Sequence, residues 1–126
     1  MKFLNAVIAA LLLSSAALAH ALEVKPYSEA ALAAAQNADQ PVAMHFHADW
    51  CPTCRAQDKA IQSLKTEPGL DLTLLVADYD TEKALKRRFK VNAQSTLVVL
   101  HGQKERARLV GDTSIDAIRN ALKTAL

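Results

Sequence analysis

Cys51 and Cys54 are the only two cysteines in the 126-residue sequence, and two residues separate them. If a helix opens at Cys51, Cys54 stands one turn further on and can reach back to it. A thiol at a helix N-terminus faces unpaired backbone N–H groups and the positive end of the helix dipole, and both favour thiolate over thiol. Cys51 is therefore expected to have a depressed pKa and to act as nucleophile, with Cys54 resolving the mixed disulfide into a Cys51–Cys54 bridge. Pro52 suits the first helical position, where its missing N–H costs nothing and its φ is already set. A C-x-x-C pair can equally be half of a zinc site, but there is no second pair here, which removes the Cys₄ alternative. A bridge over so short a loop is a poor staple for a fold.

Two imidazoles lie just upstream, at His45 and His47. The stretch 42–47 has strand character, with Val42, Met44 and Phe46 on one face and both histidines on the other. Together with Cys51 and Cys54 they form a two-nitrogen, two-sulfur set of the kind zinc or copper takes, and metal handling is the alternative reading. Strand geometry rarely brings four such groups to tetrahedral distance. The favoured reading packs both histidines between sheet and helix, with no metal and no cofactor, and leaves a neutral His45 able to accept the Cys54 proton near pH 7.

The remaining segments must position these groups. Met1-Lys2, an apolar run from Phe3 to Leu13 and a small-residue stretch to Ala21 match a secretory signal peptide ending in Ala19-His20-Ala21, with a cut after Ala19 as the other option. This predicts a leader over 1–21, a single domain over 22–126, and a periplasmic or secreted location where a disulfide can persist. The balance of 15 basic and 13 acidic side chains is near neutral and gives no electrostatic case for nucleic acid or an anionic membrane. A monomer is expected.

Along the domain, Leu22 to Val24 suggests an edge strand, and Ser28 caps an alanine-rich helix to Asn37. The strand 42–47 follows, then a helix from Pro52 to Leu64 that Glu67-Pro68-Gly69 ends. Leu70 to Ala77 reads as a buried strand, and Asp78-Tyr79-Asp80-Thr81 as the cap of a charged helix over 82–89. Strands over 96–101 and 105–110 form a hairpin around His101–Lys104, with His101 facing solvent. The final helix carries the stripe Ile115, Ile118, Ala121, Leu122 and Leu126. The order β-α-β-α-β-α-β-β-α predicts an α/β fold, a central mixed sheet flanked by helices on both faces.

Ala48-Asp49-Trp50-Cys51-Pro52-Thr53-Cys54-Arg55 resembles the active-site segment of the thioredoxin family, and the resemblance extends over essentially the whole of residues 22–126. It implies a thioredoxin-like fold, thiol–disulfide exchange with protein thiols and disulfides, and a membrane or exported redox partner. It also implies that Trp50, Pro52, Thr53, Ser95 and Thr96 form the surface that meets the substrate. Three departures stand out. The family's cis-proline position holds Ser95, for which a trans bond, a more open cleft and a hydroxyl close to the cysteines are expected. The family's buried acid and its lysine partner are replaced by His45 and Val76. The intervening dipeptide is Pro-Thr rather than Gly-Pro, so the family's reduction potential does not carry over.

Overall fold

The computed structural model describes residues 21–126, so the leader expected over 1–21 lies outside the described residues apart from Ala21. Five strands and four helices alternate: β1 (Glu23–Pro26), α1 (Glu29–Asn37), β2 (Pro41–His47), α2 (Pro52–Leu64), β3 (Thr73–Asp78), α3 (Lys83–Phe89), β4 (Thr96–His101), β5 (Lys104–Val110) and α4 (Ile115–Lys123). The sheet order is β1-β3-β2-β4-β5. β2 runs parallel to β3 and antiparallel to β4, so it occupies the centre of a mixed sheet.

The side-chain alternation along β2 sorts the core into two layers. Val42, Met44 and Phe46 join Leu32, Leu75, Leu85, Val98 and Leu100, which puts α1 and α3 on one face. Ala43 joins Ile61, Leu64, Leu74, Leu97, Val99, Ile118 and Leu122, which puts α2 and α4 on the other. Burying a leucine or isoleucine side chain contributes about 1.5–3 kcal/mol, so the stripe Ala60, Ile61, Leu64 fixes the orientation of α2 on the sheet.

The local signals explain most element ends. Ser28 and Ser114 cap α1 and α4, each hydroxyl accepting from the N–H three residues on. The β4–β5 hairpin turns at Gly102, whose φ is +57°, and any side chain there would collide with Asp39.

Four expectations are corrected. β3 begins at Thr73, not Leu70: the Pro68-Gly69 turn, with Gly69 at φ +87°, delays entry into the sheet, and Leu70 and Leu72 are buried outside it. α3 has no side-chain cap, because Asp78 Oδ1 accepts from Asp80 N in a turn before the helix. In α4 the buried stripe is Ile118, Ala121 and Leu122, continued by Ala125, while Ile115 and Leu126 are exposed. His101 is half-buried rather than solvent-facing, and its Nδ1 lies 2.7 Å from the Ala125 carbonyl.

Candidate active site

β2 delivers the chain to the site and α2 carries it away. Cys51 is the N-cap of α2 in an extended conformation, and its sulfur accepts the Cys54 N–H at 3.1 Å, as a serine or aspartate oxygen would. Pro52 stands at the first helical position and the Arg55 N–H closes the first turn on Cys51 O at 3.2 Å. Both cysteines are free and buried, packed with Ala48 and the edge of Tyr79.

Ser95 completes the pair from across the sheet. It precedes β4, and its hydroxyl lies 3.1 Å from Cys51 Sγ and 3.0 Å from Cys54 Sγ. The expected closeness of hydroxyl and sulfurs is present, and no cis peptide bond occurs among the described residues. The sequence did not anticipate the backbone: Ser95 has φ +62°, a left-handed conformation costly for a non-glycine residue. Its N–H donates to Phe46 O, its carbonyl accepts from Gly111 N–H, both at 2.9 Å, and Gln57 Nε2 donates to that same carbonyl at 3.0 Å.

Gln57 is the residue that sequence reasoning missed. One turn beyond Cys54 on the buried face of α2, it is a polar side chain in an apolar stripe, and that mismatch was the available signal. Its Nε2 donates to the carbonyls of Ser95 and Asp112, so its Oε1 must face His45 Nε2, at 2.8 Å. An amide oxygen only accepts, and His45 therefore carries its proton on Nε2.

His45 was expected to take the proton of Cys54. Its Nε2 is committed to Gln57 and its Nδ1 lies 3.6 Å from Asp58 Oδ1, and no hydrogen bond joins it to either sulfur among the described residues. His47 also turns to Asp58, with Nε2 2.7 Å from Oδ2, an ion-pair distance out of line for a hydrogen bond. The two rings meet edge to face at 5.6 Å. Both imidazoles are thus engaged between sheet and helix. Among the described residues, no group of three or more His, Cys, Asp or Glu side chains is placed to hold a metal ion.

The electrostatics separate the two thiols. Burial acts to raise Cys51, but hydrogen bonds from the Cys54 side chain, the Ser95 hydroxyl and the N–H groups of Cys54 and Thr53 outweigh it and bring it below its ordinary value. Burial and the bond to Cys51 push Cys54 up, against the pull of Ser95 and the Ala48 backbone. Burial also lowers His45, more than Gln57 and Asp58 raise it. One thiol is held ready to ionise and its neighbour is held protonated, the division of labour that disulfide exchange requires.

Trp50, Pro52 and Thr53 form an accessible rim, with Trp50 58% exposed and its Nε1–H donating to Asp80 Oδ2 at 2.8 Å. A cleft of about 390 Å³ beside Trp50 is lined by His47, Asp49, Val76, Ala77, Asp78 and Asp80, and neither cysteine lines it. Thr96 is buried and its hydroxyl is spent on Ala93 O at 2.7 Å. Arg55 is exposed and donates to Asp49 O at 3.2 Å.

A five-stranded mixed sheet with helices on both faces and a dithiol at the N-terminus of the helix after the central strand defines a class of redox-site protein. The thioredoxin family matches the chain over residues 23–124, and the chain belongs to that family. It is 31% identical over 75 residues to thioredoxin from Mycobacterium bovis, a match covering 60% of this chain and 65%, just under two thirds, of that protein. Thioredoxin-1 of Drosophila melanogaster is 27% identical over 73 residues, 58% of this chain and 68% of that one. Among solved structures, Trxlp from Edwardsiella tarda superimposes with a TM-score of 0.74 at 36% identity, covering 79% of this chain and 98% of that one. Thioredoxin O2 from Arabidopsis thaliana, in its oxidised state, gives 0.66 at 26% identity, covering 82% and 92%.

Proposed function

We propose that the chain is an exported thiol–disulfide oxidoreductase acting on protein disulfides, with Cys51 attacking and Cys54 resolving. The observation that carries this reading is the geometry of the pair at the first turn of α2, where Cys51 Sγ accepts the Cys54 N–H at 3.1 Å and the Ser95 hydroxyl lies 3.1 and 3.0 Å from the two sulfurs. Family membership supports the same chemistry. In the forward direction the Cys51 thiolate attacks a client disulfide, and Cys54 then displaces the client and closes the Cys51–Cys54 bridge. Trp50 and Pro52 are exposed and Thr53 is half-buried beside Cys51, and together they form the surface presented to the client.

The leader-like pattern of residues 1–21 supports export to the periplasm or secretion, where an exported or membrane-bound redox partner sets the direction of electron flow. The two cysteines, Ser95 and Gln57 come from one copy, so a monomer suffices for the proposed exchange.

Equilibration with glutathione over a range of redox ratios tests the reading. A single two-electron transition is expected, absent in Cys51→Ser and Cys54→Ser. Cys54→Ser should also trap a mixed disulfide through Cys51. Failure of the wild-type protein to exchange with glutathione or any protein disulfide would overturn it. Production in an exporting host should yield a mature chain beginning at Leu22, or at His20 for the earlier cut, and retention of Met1 in that host argues against export.

A further inference from the structure

One atom touches both sulfurs, the hydroxyl oxygen of Ser95. A hydroxyl carries one proton, so it can donate to only one of the two sulfurs at a time. The Cys54 N–H already points at Cys51 Sγ, which makes Cys51 the better site for the negative charge. The hydroxyl therefore donates to the Cys51 thiolate in the resting dithiol, and it can donate to Cys54 once Cys51 is tied up in a mixed disulfide. Ser95 is 2% exposed, so bulk water does not compete for this bond. Its left-handed backbone is held at N–H and carbonyl by Phe46, Gly111 and Gln57, the kind of over-determined local strain found at functional positions.

We propose that Ser95 is a catalytic residue of the exchange reaction, its hydroxyl donating first to the Cys51 thiolate and then to the Cys54 thiolate that resolves the mixed disulfide. The proposal rests on the oxidoreductase reading above. In the first step the Cys51 thiolate attacks client R–S–S–R′, forming Cys51–S–S–R and expelling R′S⁻, while the Ser95 hydroxyl loses a charged partner. In the second step Cys54 Sγ attacks Cys51 Sγ. Cys51 no longer carries charge, so the Ser95 hydroxyl turns to donate to Cys54 Sγ, 3.0 Å away, as the R′S⁻ expelled in the first step takes up the Cys54 proton. The Cys51–Cys54 bond forms, the Cys51–SR bond breaks, and RS⁻ departs beside R′SH. The dithiol has lost two electrons, the client disulfide has gained them, and Ser95 ends as it began. His45 takes no part, since its Nε2–H is committed to Gln57 and no hydrogen bond joins it to either sulfur among the described residues.

The test is single-turnover exchange with a peptide disulfide, quenched by acid, in wild type, Ser95→Ala and Ser95→Gly. Glycine takes φ +62° without strain, so the second variant removes the hydroxyl and keeps the backbone. Both variants should accumulate the Cys51 mixed disulfide and resolve it about a hundredfold more slowly, the low end of what one preorganised donor to a developing charge contributes. The pH midpoint of Cys51 alkylation should also move upward in both. Resolution within about twofold of wild type in both variants overturns the proposal, as does slowing in Ser95→Ala alone, which would assign the effect to the backbone. If the wild-type protein forms no mixed disulfide, the oxidoreductase reading fails and takes this role with it.

Discussion

The two faces of β2 are built on different principles. Val42, Met44 and Phe46 look into a layer held by apolar contact alone, closed by α1 and α3. Two of the four residues facing the other way are His45 and His47, and there α2 answers with Gln57 and Asp58. The first face requires volume and shape. The second requires directed hydrogen bonds, which run from His45 through Gln57 to the carbonyl of Ser95 and so to the sulfurs. Stability and thiol chemistry are therefore expected to respond separately to substitution.

Phe46→Ala should produce the largest effect, a loss of about 3–5 kcal/mol in denaturant unfolding, because a fully buried ring leaves a cavity. The Phe46 carbonyl still holds Ser95, so the alkylation midpoint of Cys51 should stay in place. A midpoint that moved with the stability would show the two faces to be coupled. Gln57→Leu should cost less, about 1–3 kcal/mol, by stranding the buried His45 Nε2–H. Here the midpoint should shift as Ser95 loses a tether. A variant with lower stability and an unchanged midpoint would reduce Gln57 to a packing role.

The same contrast separates what was legible in the sequence from what was not. Val42, Met44 and Phe46 declared their face by alternation, and the cysteine pair declared the helix start because Pro52 can stand only where an N–H is dispensable. The order of strands and helices followed from such local signals. The polar side was half legible. The proximity of Ser95 to the sulfurs could be placed by resemblance, whereas its φ of +62° could not, because nothing in Gln94-Ser95-Thr96 asks for a left-handed residue. That conformation is imposed by partners 16 to 49 positions away in sequence, Gly111, Gln57 and Phe46. For the same reason the register of His45 toward α2 was readable, but the side chain that meets it there, Gln57, was not.

His45 gives a smaller effect with a defined sign. Its environment comprises Gln57 and Asp58 from α2 and His47 from its own strand, and burial wins among them, lowering its pKa. The unfolded chain then binds a proton that the folded chain refuses, so stability is complete above the ordinary histidine value near 6.5 and declines as pH falls below it. His45→Gln should flatten the part of the pH–stability curve that this residue contributes, read as the difference between variant and wild type so that His47 and His101 cancel. A difference curve that is flat, or that rises toward acid, would mean that Asp58 rather than burial governs the ring.

The smallest effect is expected where polarity is exposed. Trp50 Nε1–H donates to Asp80 at 2.8 Å, a shorter contact than Gln57 makes to Ser95, yet both partners lie on the surface. Water can replace Asp80 as acceptor, so Asp80→Ala should change unfolding stability by no more than about 0.5 kcal/mol and leave the Cys51 midpoint unmoved. Distance alone would rank this bond level with the one between Gln57 and His45 and above the two Gln57 makes to backbone carbonyls, and burial ranks it below all three. If Asp80→Ala costs as much as Gln57→Leu, burial is not what makes the polar face of β2 demanding, and Trp50 has to be counted as part of the structure that holds the sulfurs.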